Sequence, residues 1–478
     1  MLPVRNPAVP AYRWLYEALR GEILTGRLRP GARLPGSRDL ARQYGLSRGT
    51  IVNAFEQLAA EGYVAGSVGS GTYVSPTLPE ELLPLRRTVE PPRPPHPPRR
   101  ALAGYGRRVQ LLPGVEARPT RAFRANLPAL DLFPVALWSQ LVARRWRRAT
   151  LGLLSGSEPL GYGPLREAVA DYLGASRGVR CTAEQVAIVS GTQEALDLVA
   201  RLLLDPGARV AMEDPGYIGA TAAFEAAGAR VAALPVDDQG AVLRAASLRG
   251  ARLVYVTPAH QFPLGTAMSL ARRLAMLDWA RDAGALVFED DYDGEYRYSG
   301  RPIPALQGLD RHGVVLFAGS FSKVLFPSLR LGYLVVPADL VERFAAAKSA
   351  ATRHGPLVEQ AVLCDFIGEG HFGRHLRRMR EVYAERLGVL LDSARERLAG
   401  RLDISPVEAG LQTAAWLPAG VDGEAVARQA AARQVEVTPL ARYARRPLAR
   451  DGLHLGFAAV DRREIRRGVR ELEAILGS

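Results

Sequence analysis

The segment Gly319–Tyr333, GSFSKVLFPSLRLGY, carries one of only two lysines in the chain. Lys and Arg together number 62, so every basic residue other than Lys323 and Lys348 is an arginine. As solvated cations the two residue types are interchangeable. They differ where a primary amine must lose its proton and attack a carbonyl, because guanidinium stays protonated at neutral pH. A Schiff base to an aldehyde cofactor is the common use of such an amine. Chance survival of two lysines is the bland alternative. Lys348, in RFAAAKSAATRHG, lies on a helical segment with no motif around it and reads as such a survivor. Lys323 is set apart by its neighbours.

Immediately around it, the apolar run VVLFAGS reads as a strand that delivers Lys323 onto a loop. Ser320 and Ser322 offer hydroxyls, and Arg330, seven residues after Lys323, offers a planar fork for a phosphate. Desolvation beside that cation lowers a lysine pKa and favours imine formation. Further out, IVSGTQEALDLVARLLL reads as a strand ending at Ser190, with Gly191, Thr192 and Gln193 opening an amphipathic helix. Bare N–H groups and the positive end of the helix dipole suit a phosphate there. In MEDPGYIGA, Tyr217 stands at a strand end, where it either lies flat on an aromatic cofactor or simply packs. In ALVFEDDYDGEY an apolar strand runs into acids at its C-terminal end, the edge where open α/β sheets hold ligands. Asp290 facing a pyridine nitrogen would keep it protonated, and Tyr292 would reach a phenolate oxygen on the same ring. An acidic surface turn or a divalent-metal site is the competing reading of these acids. No histidine flanks them, and an amine, a phosphate cradle, an acid and a stacking ring fit pyridoxal 5′-phosphate (PLP) better than Mg²⁺. No metal site is expected.

From about Asn126 onward, runs such as QVAIVSG, RVAMED, RLVYVTP and LGYLVVP alternate with amphipathic segments such as LARRLAMLDWARDAG. This alternation predicts an α/β domain with a mainly parallel sheet and helices on both faces. Residues 76–115 include EPPRPPHPPRR and read as an extended, semi-rigid linker. Residues 1–75 are compact. A helix is predicted from about Ala11 to Thr25, with Leu15, Leu19, Ile23 and Leu24 on one side. Ser37 caps a second short helix, Gly45 turns the chain, and Ser47 caps a third over RGTIVNAFEQLAAEG. That helix has Ile51, Val52, Phe55 and Leu58 for a core and Ser47, Arg48, Thr50 and Asn53 at its polar start. YVAGSVGSGTYV then reads as a hairpin. Helix, turn, helix and wing is a DNA-binding arrangement, and the first turn of the third helix is where side chains reach bases.

Charge placement agrees. Residues 1–75 hold nine Arg against five acids, and residues 76–125 hold ten against four, so these two stretches account for +10 of the net +13. A basic N-terminal region suits a polyanion. A length of 478 residues implies more than one core, and 48% apolar with 23% charged residues describes a soluble globular chain. Cys181 and Cys364 are too few and too far apart for a disulfide framework or a metal cluster. No signal-peptide core or membrane-length apolar run is present, so a reducing cytoplasm is expected, without membrane contact.

The N-terminal module, through GRLRPGARLPGSRDLARQYGLSRGTI and GSGTYV, resembles the winged helix of GntR-family regulators. The resemblance implies that Arg33, Ser37, Arg38, Ser47, Arg48, Thr50 and wing Gly69 lie at double-stranded DNA. With DLFP, GYGPLREAVADYL, SGTQEALDL, EDPGY, TPAHQFPLG, FEDDYDGEYRY and the opening segment, the whole chain resembles the MocR subfamily of that family. Its members join a winged helix to a domain similar to fold-type-I aminotransferases. The fold implied is α/β, with an aminotransferase-like domain over residues 116–478 and a smaller C-terminal α+β subdomain from about residue 355. Lys323 is implied as the aldimine lysine, Asp290 at the pyridine nitrogen and Tyr292 at the ring oxygen. Gly191, Thr192, Gln193, Ser320 and Arg330 are implied at the phosphate, Tyr217 in stacking, and His260 and Gln261 near the ring. A head-to-tail homodimer is implied as well. The expected function is a PLP-binding transcriptional regulator that senses PLP or an amino compound. A working aminotransferase with an autoregulatory DNA module is the alternative, and a decayed dimerisation scaffold ranks last. One departure weighs against the enzyme. His454, in DGLHLGFAAV, stands where aminotransferases place the arginine that clamps a substrate carboxylate, with Arg442, Arg445 and Arg446 as substitutes nearby.

Overall fold

A computed structural model describes residues 9–67, 71–78, 100–112, 119–299, 304–405 and 407–477. The chain forms two compact units, Met1–Ala101 and Leu102–Ser478.

In the first unit α1 spans Ala11–Leu24, α2 Ser37–Tyr44 and α3 Arg48–Ala60, followed by the antiparallel hairpin β1 (Val64–Ser67) and β2 (Gly71–Val74). Leu15, Leu19 and Ile23 of α1 pack with Leu40, Ile51, Ala54 and Leu58 in one core. Leu24 departs from expectation. It is 43% exposed, because one step past Ile23 turns the side chain about 100° away from the buried stripe. On α3, Ile51, Ala54 and Leu58 are buried at helical spacing and Phe55 packs half-buried against that core, whereas Val52 is half-buried and lies outside it. Ser37 is the first residue of α2, not its cap; Gly36 precedes it and no side chain caps the helix. Ser47 does cap α3, its Oγ accepting from the Thr50 N–H at 3.1 Å.

The second unit begins inside the stretch read as an extended linker. Gly104–Arg108 are helical, and the Arg108 guanidinium donates to the Glu225 and Ala226 carbonyls at 3.2 and 3.1 Å. The large sheet comprises β3 (Val186–Val189), β4 (Arg209–Asp214), β5 (Arg230–Asp237), β6 (Gly240–Ala241), β7 (Ala251–Val256), β8 (Leu286–Asp291), β9 (Val315–Ser320) and β10 (Gly332–Val335). Its order is β3-β10-β9-β8-β7-β4-β5-β6. Neighbours from β5 through β9 run parallel, and β10 runs antiparallel to both β3 and β9. All strands except β10 and β6 therefore end on one edge. Side chains alternate between two covered faces: Val186 and Ile188 enter one core, Ala187 and Val189 another. Helices on both faces are what such doubly buried strands require.

A second sheet, β11 (Asp403–Ile404), β12 (Gln412–Trp416), β13 (Thr438–Pro439) and β14 (Gly452–Gly456), has the order β11-β12-β14-β13 and is antiparallel throughout. Helices His371–Arg397, Gly423–Ala432 and Arg462–Leu476 accompany it, forming the α+β part. Among the described residues no helix is long and apolar enough to cross a membrane.

Candidate functional site

The shared strand edge gathers the residues singled out above. β3 ends one residue before Ser190 and Gly191, and Gly191 sits at φ +112°, a backbone state that side-chain-bearing residues disfavour. A Cβ there would lie 3.6 Å from Arg330 Nη1, so the guanidinium faces bare loop backbone at the start of the helix Thr192–Leu203. Arg330 is itself left-handed, at φ +51°, after the short turn Pro327–Leu329, and makes no ion pair with a described residue. Ser322 is buried, its Oγ without a partner among the described residues; its N–H donates to Ser320 Oγ at 3.2 Å.

The same loop is braced from behind. Glu194 accepts from the Ser190 N–H at 2.5 Å and from Lys348 Nζ at 2.6 Å. Lys348 is therefore no chance survivor on a helix surface. It is 2% exposed, on the helix Val341–Thr352 that packs against Thr192–Leu203. Burial pushes the Glu194 carboxyl up, but the Lys348 ammonium and the Ser190 N–H outweigh it and hold the group below its usual value.

β8 carries the acids. Asp290 is 4% exposed; Oδ2 accepts from the Tyr255 hydroxyl at 2.7 Å, and Oδ1 has no partner among the described residues. Burial pushes its pKa up to about 7; the Tyr255 hydrogen bond and the Lys323 charge oppose this, and Asp291 and Asp293 add to it. Lys323 is pushed down to about 8, first by burial and further by Arg330, against the pull of Asp293 and Asp290. Its Nζ donates to the Asn126 carbonyl at 2.7 Å. Gln412 clamps Asn126 from the other side, accepting its N–H at 2.7 Å and donating to its Oδ1 at 3.2 Å. Tyr217 is pushed up to about 12 by burial and then Asp290, with Arg330 opposing. Its ring lies over Gly219, where a Cβ would come within 2.4 Å of the ring. Gln193 donates to the Gly219 carbonyl at 3.0 Å and lies 3.4 Å from the Tyr217 hydroxyl. Lys323, Asp290, Tyr217 and Arg330 thus share one electrostatic neighbourhood.

Tyr292 places its hydroxyl 2.9 Å from His260 Nδ1, which lies 3.0 Å from the Asp293 carboxylate. Gln261 does not turn its amide toward the site. It donates to the Pro215 and Phe262 carbonyls at 2.9 and 2.7 Å and accepts from Leu264 N–H at 3.1 Å, shaping its own turn. Phe262 stands edge-on to Tyr217, Tyr292, Tyr443 and His454, with ring centroids 5.0–5.9 Å away. His454, on β14, is fully buried, with Nδ1 3.2 Å from the Tyr443 hydroxyl and Nε2 without a partner among the described residues. Burial, with His260 adding, pushes it down to about 3, so its ring is neutral. The nearby arginines are all engaged: Arg442 grips Glu424 at 2.7 and 2.6 Å, Arg445 pairs with Glu225 at 2.9 Å, and Arg446 donates to the Ala233 carbonyl at 2.9 Å.

Sequence reasoning overlooked Tyr255, Asp293, Asn126, Gln412 and Phe262. Strand alternation in RLVYVTP is a signal for Tyr255; nothing local marks Asn126 or Gln412, which meet across 286 residues. On the winged helix, Arg33, Arg38, Ser47 and Arg48 are exposed, and Ser37 and Thr50 are half-buried. The Arg33 side chain lies over Gly71, and the Thr50 hydroxyl is 2.8 Å from Ser47 Oγ. Gly69 lies outside the described residues.

The first unit is thus a winged helix with a capped third helix that opens on Arg48, and the second is an aminotransferase fold with its site on the strand edge. Residues 11–74 match the gntR family of bacterial regulatory proteins, and residues 138–472 match aminotransferase class I and II. The chain is 41% identical to the probable rhizopine catabolism regulatory protein MocR of Rhizobium meliloti, over 98% of this chain and 94% of that one. It is 31% identical to the pyridoxine biosynthesis transcriptional regulator PdxR of Corynebacterium glutamicum, over 95% and 93%. Among solved structures, it resembles the α-aminoadipate aminotransferase LysN of Thermus thermophilus, complexed with N-(5′-phosphopyridoxyl)-L-leucine. That match has a TM-score of 0.71 at 30% identity and covers 79% of this chain and 97% of that one. The chain belongs to the MocR subfamily of GntR-family transcriptional regulators.

Proposed function

We propose that PLP binds at the strand edge and that its occupancy governs DNA binding by the winged helix. The observation that carries this reading is the set of groups left without partners there. Asp290 Oδ1 and Ser322 Oγ are buried without partners among the described residues, and the exposed Arg330, with no ion pair among them, lies over bare glycine backbone. Unsatisfied buried polar atoms are costly, and a ligand with a basic ring nitrogen and a phosphate satisfies them together. Arg330, Ser320, Ser322 and the Gly191–Gln193 turn would hold the phosphate. Asp290 Oδ1 would hold a proton toward the ring nitrogen, with Tyr255 fixing the carboxylate from its other oxygen. Tyr217 and Tyr292 would flank and orient the ring. Bound PLP supplies an aldehyde carbon for a primary amine and a ring that withdraws electrons from it. Lys323 is suited to be that amine, because burial brings its deprotonation to about pH 8.

A regulator needs the ligand to favour one conformational state over another. We place that response in a head-to-tail homodimer in the cytoplasm, with PLP, alone or with an amino compound, as effector and a promoter operator as target. The transaminase alternative is disfavoured by the neutral His454 and by the engagement of Arg442, Arg445 and Arg446. The purified protein is expected to be yellow. Lys323→Ala should lose the colour and the borohydride-stable attachment of the cofactor while keeping the wild-type circular-dichroism spectrum. An unchanged attachment in that variant would sink the reading.

A further inference from the structure

The ring cluster around Phe262 constrains what enters beside the cofactor, and the constraint rests on reading the edge as a PLP site. Phe262 touches Tyr217 and Tyr292 on one side and Tyr443 and His454 on the other, so it joins the cofactor residues to the 438–456 segment. The Tyr443 hydroxyl lies 3.2 Å from His454 Nδ1, and with the phenol as donor the neutral ring carries its proton on Nε2. That buried donor has no partner among the described residues.

An α-amino acid would bring a carboxylate into this cluster. A carboxylate removed from water needs a cation and further hydrogen bonds. Lys323 and Arg330 are assigned to the cofactor, His454 carries no charge, and Arg442, Arg445 and Arg446 are held elsewhere. With Arg330 and Asp290 both engaged by the cofactor, the charged group left beside Lys323 is Asp293, which attracts an ammonium and repels a second carboxylate.

We infer that the amino compound admitted beside PLP is a primary amine with no carboxylate on its amine-bearing carbon, whose uncharged body packs on Phe262 and Tyr443 and offers an acceptor to His454 Nε2. The test uses the full-length, cofactor-loaded protein and matched pairs: ethanolamine against L-serine, and 2-phenylethylamine against L-phenylalanine. Binding is read from the shift in cofactor absorbance and from calorimetry. Each amine should bind at least about tenfold more tightly than its amino acid. His454→Arg should reverse that order, and His454→Phe should weaken ethanolamine more than 2-phenylethylamine. Equal or tighter binding of the amino acids by the wild-type protein overturns the inference, as does a response to neither class. A protein that holds no PLP at all would overturn the underlying reading instead. If His454→Arg does not fold, the wild-type pairs still decide.

Discussion

Lys323 Nζ donates a 2.7 Å hydrogen bond to the backbone carbonyl of Asn126, a residue 197 positions earlier in the chain. Asn126 is left-handed, at φ +64°, and Gln412 holds its N–H and its side chain. A lysine engaged by an aldehyde can no longer donate this bond as a free ammonium does. Adding PLP should therefore raise hydrogen exchange in the 123–127 segment, while Gln412→Leu should raise it without PLP. Gln412→Leu leaves the part-buried Asn126 N–H without its acceptor and should cost about 1 kcal/mol in denaturant unfolding. Exchange in the segment that does not respond to PLP would refute this coupling.

The titration of Lys323 sets the pH dependence of cofactor capture. Its folded value of about 8 lies below the ordinary 10.5. Only the neutral amine attacks an aldehyde, so the rate of colour formation by cofactor-stripped protein should rise with pH and level off above about 8. Between about 8 and 10.5 the unfolded chain binds more protons here than the folded one, so this group's contribution to stability rises across that window. A stopped-flow rate that is flat from pH 6 to 9 would count against the shift in Lys323.

Asp290 has the opposite sign. Its folded value of about 7 exceeds the ordinary 3.8, so the folded chain binds more protons between those limits. Its contribution to stability is greatest at acid pH and falls as pH rises toward 7. In cofactor-stripped protein, Asp290→Asn should flatten the decline measured by urea midpoints over that range. The same substitution should weaken PLP binding while leaving Lys323 able to form the reducible attachment.

Lys348 and Glu194 form a buried pair that braces the turn facing Arg330. Lys348→Met leaves the carboxylate uncompensated and should destabilise the protein by about 3–5 kcal/mol. It should weaken PLP affinity at least about tenfold. Glu194→Leu added to it should recover much of the stability but not the affinity, since Ser190 N–H then lacks its acceptor. Affinity unchanged in both variants would show that the brace does not shape the turn.

On the winged helix, Arg48 stands exposed at the start of α3. Arg48→Ala should weaken operator binding and lower the salt slope by about one contact. Ser47→Ala removes the cap and should cost about 1 kcal/mol of stability, seen as a lower melting temperature. Fluorescence anisotropy at several salt concentrations separates the two effects.

Much of this arrangement is legible in the sequence because it is built from local units. A strand, a glycine turn and a helix place Gly191, and strands ending in Ser320 and Asp291 bring Lys323 and Asp290 to the same edge. The misreadings arise where one step of helix phase or one residue of capping decides, as with Val52, Leu24 and Ser37. Contacts between distant segments carry no local signature. Asn126 with Gln412 and Lys348 with Glu194 join residues 286 and 154 positions apart, and only the packed fold shows them. The Lys348 case is instructive: an isolated lysine with no motif is a poor guide, because its meaning lies on another helix.

The placement of the two lysines has a practical outcome. Lys348 is sealed inside its ion pair and Lys323 opens only onto the strand edge, so no ε-amine lies fully exposed on the protein. Acylating reagents that decorate the exterior of ordinary proteins would find one reachable side-chain amine. Mass spectrometry of such labelling, with and without vitamin B6, would footprint the vacancy of the site in crude extract.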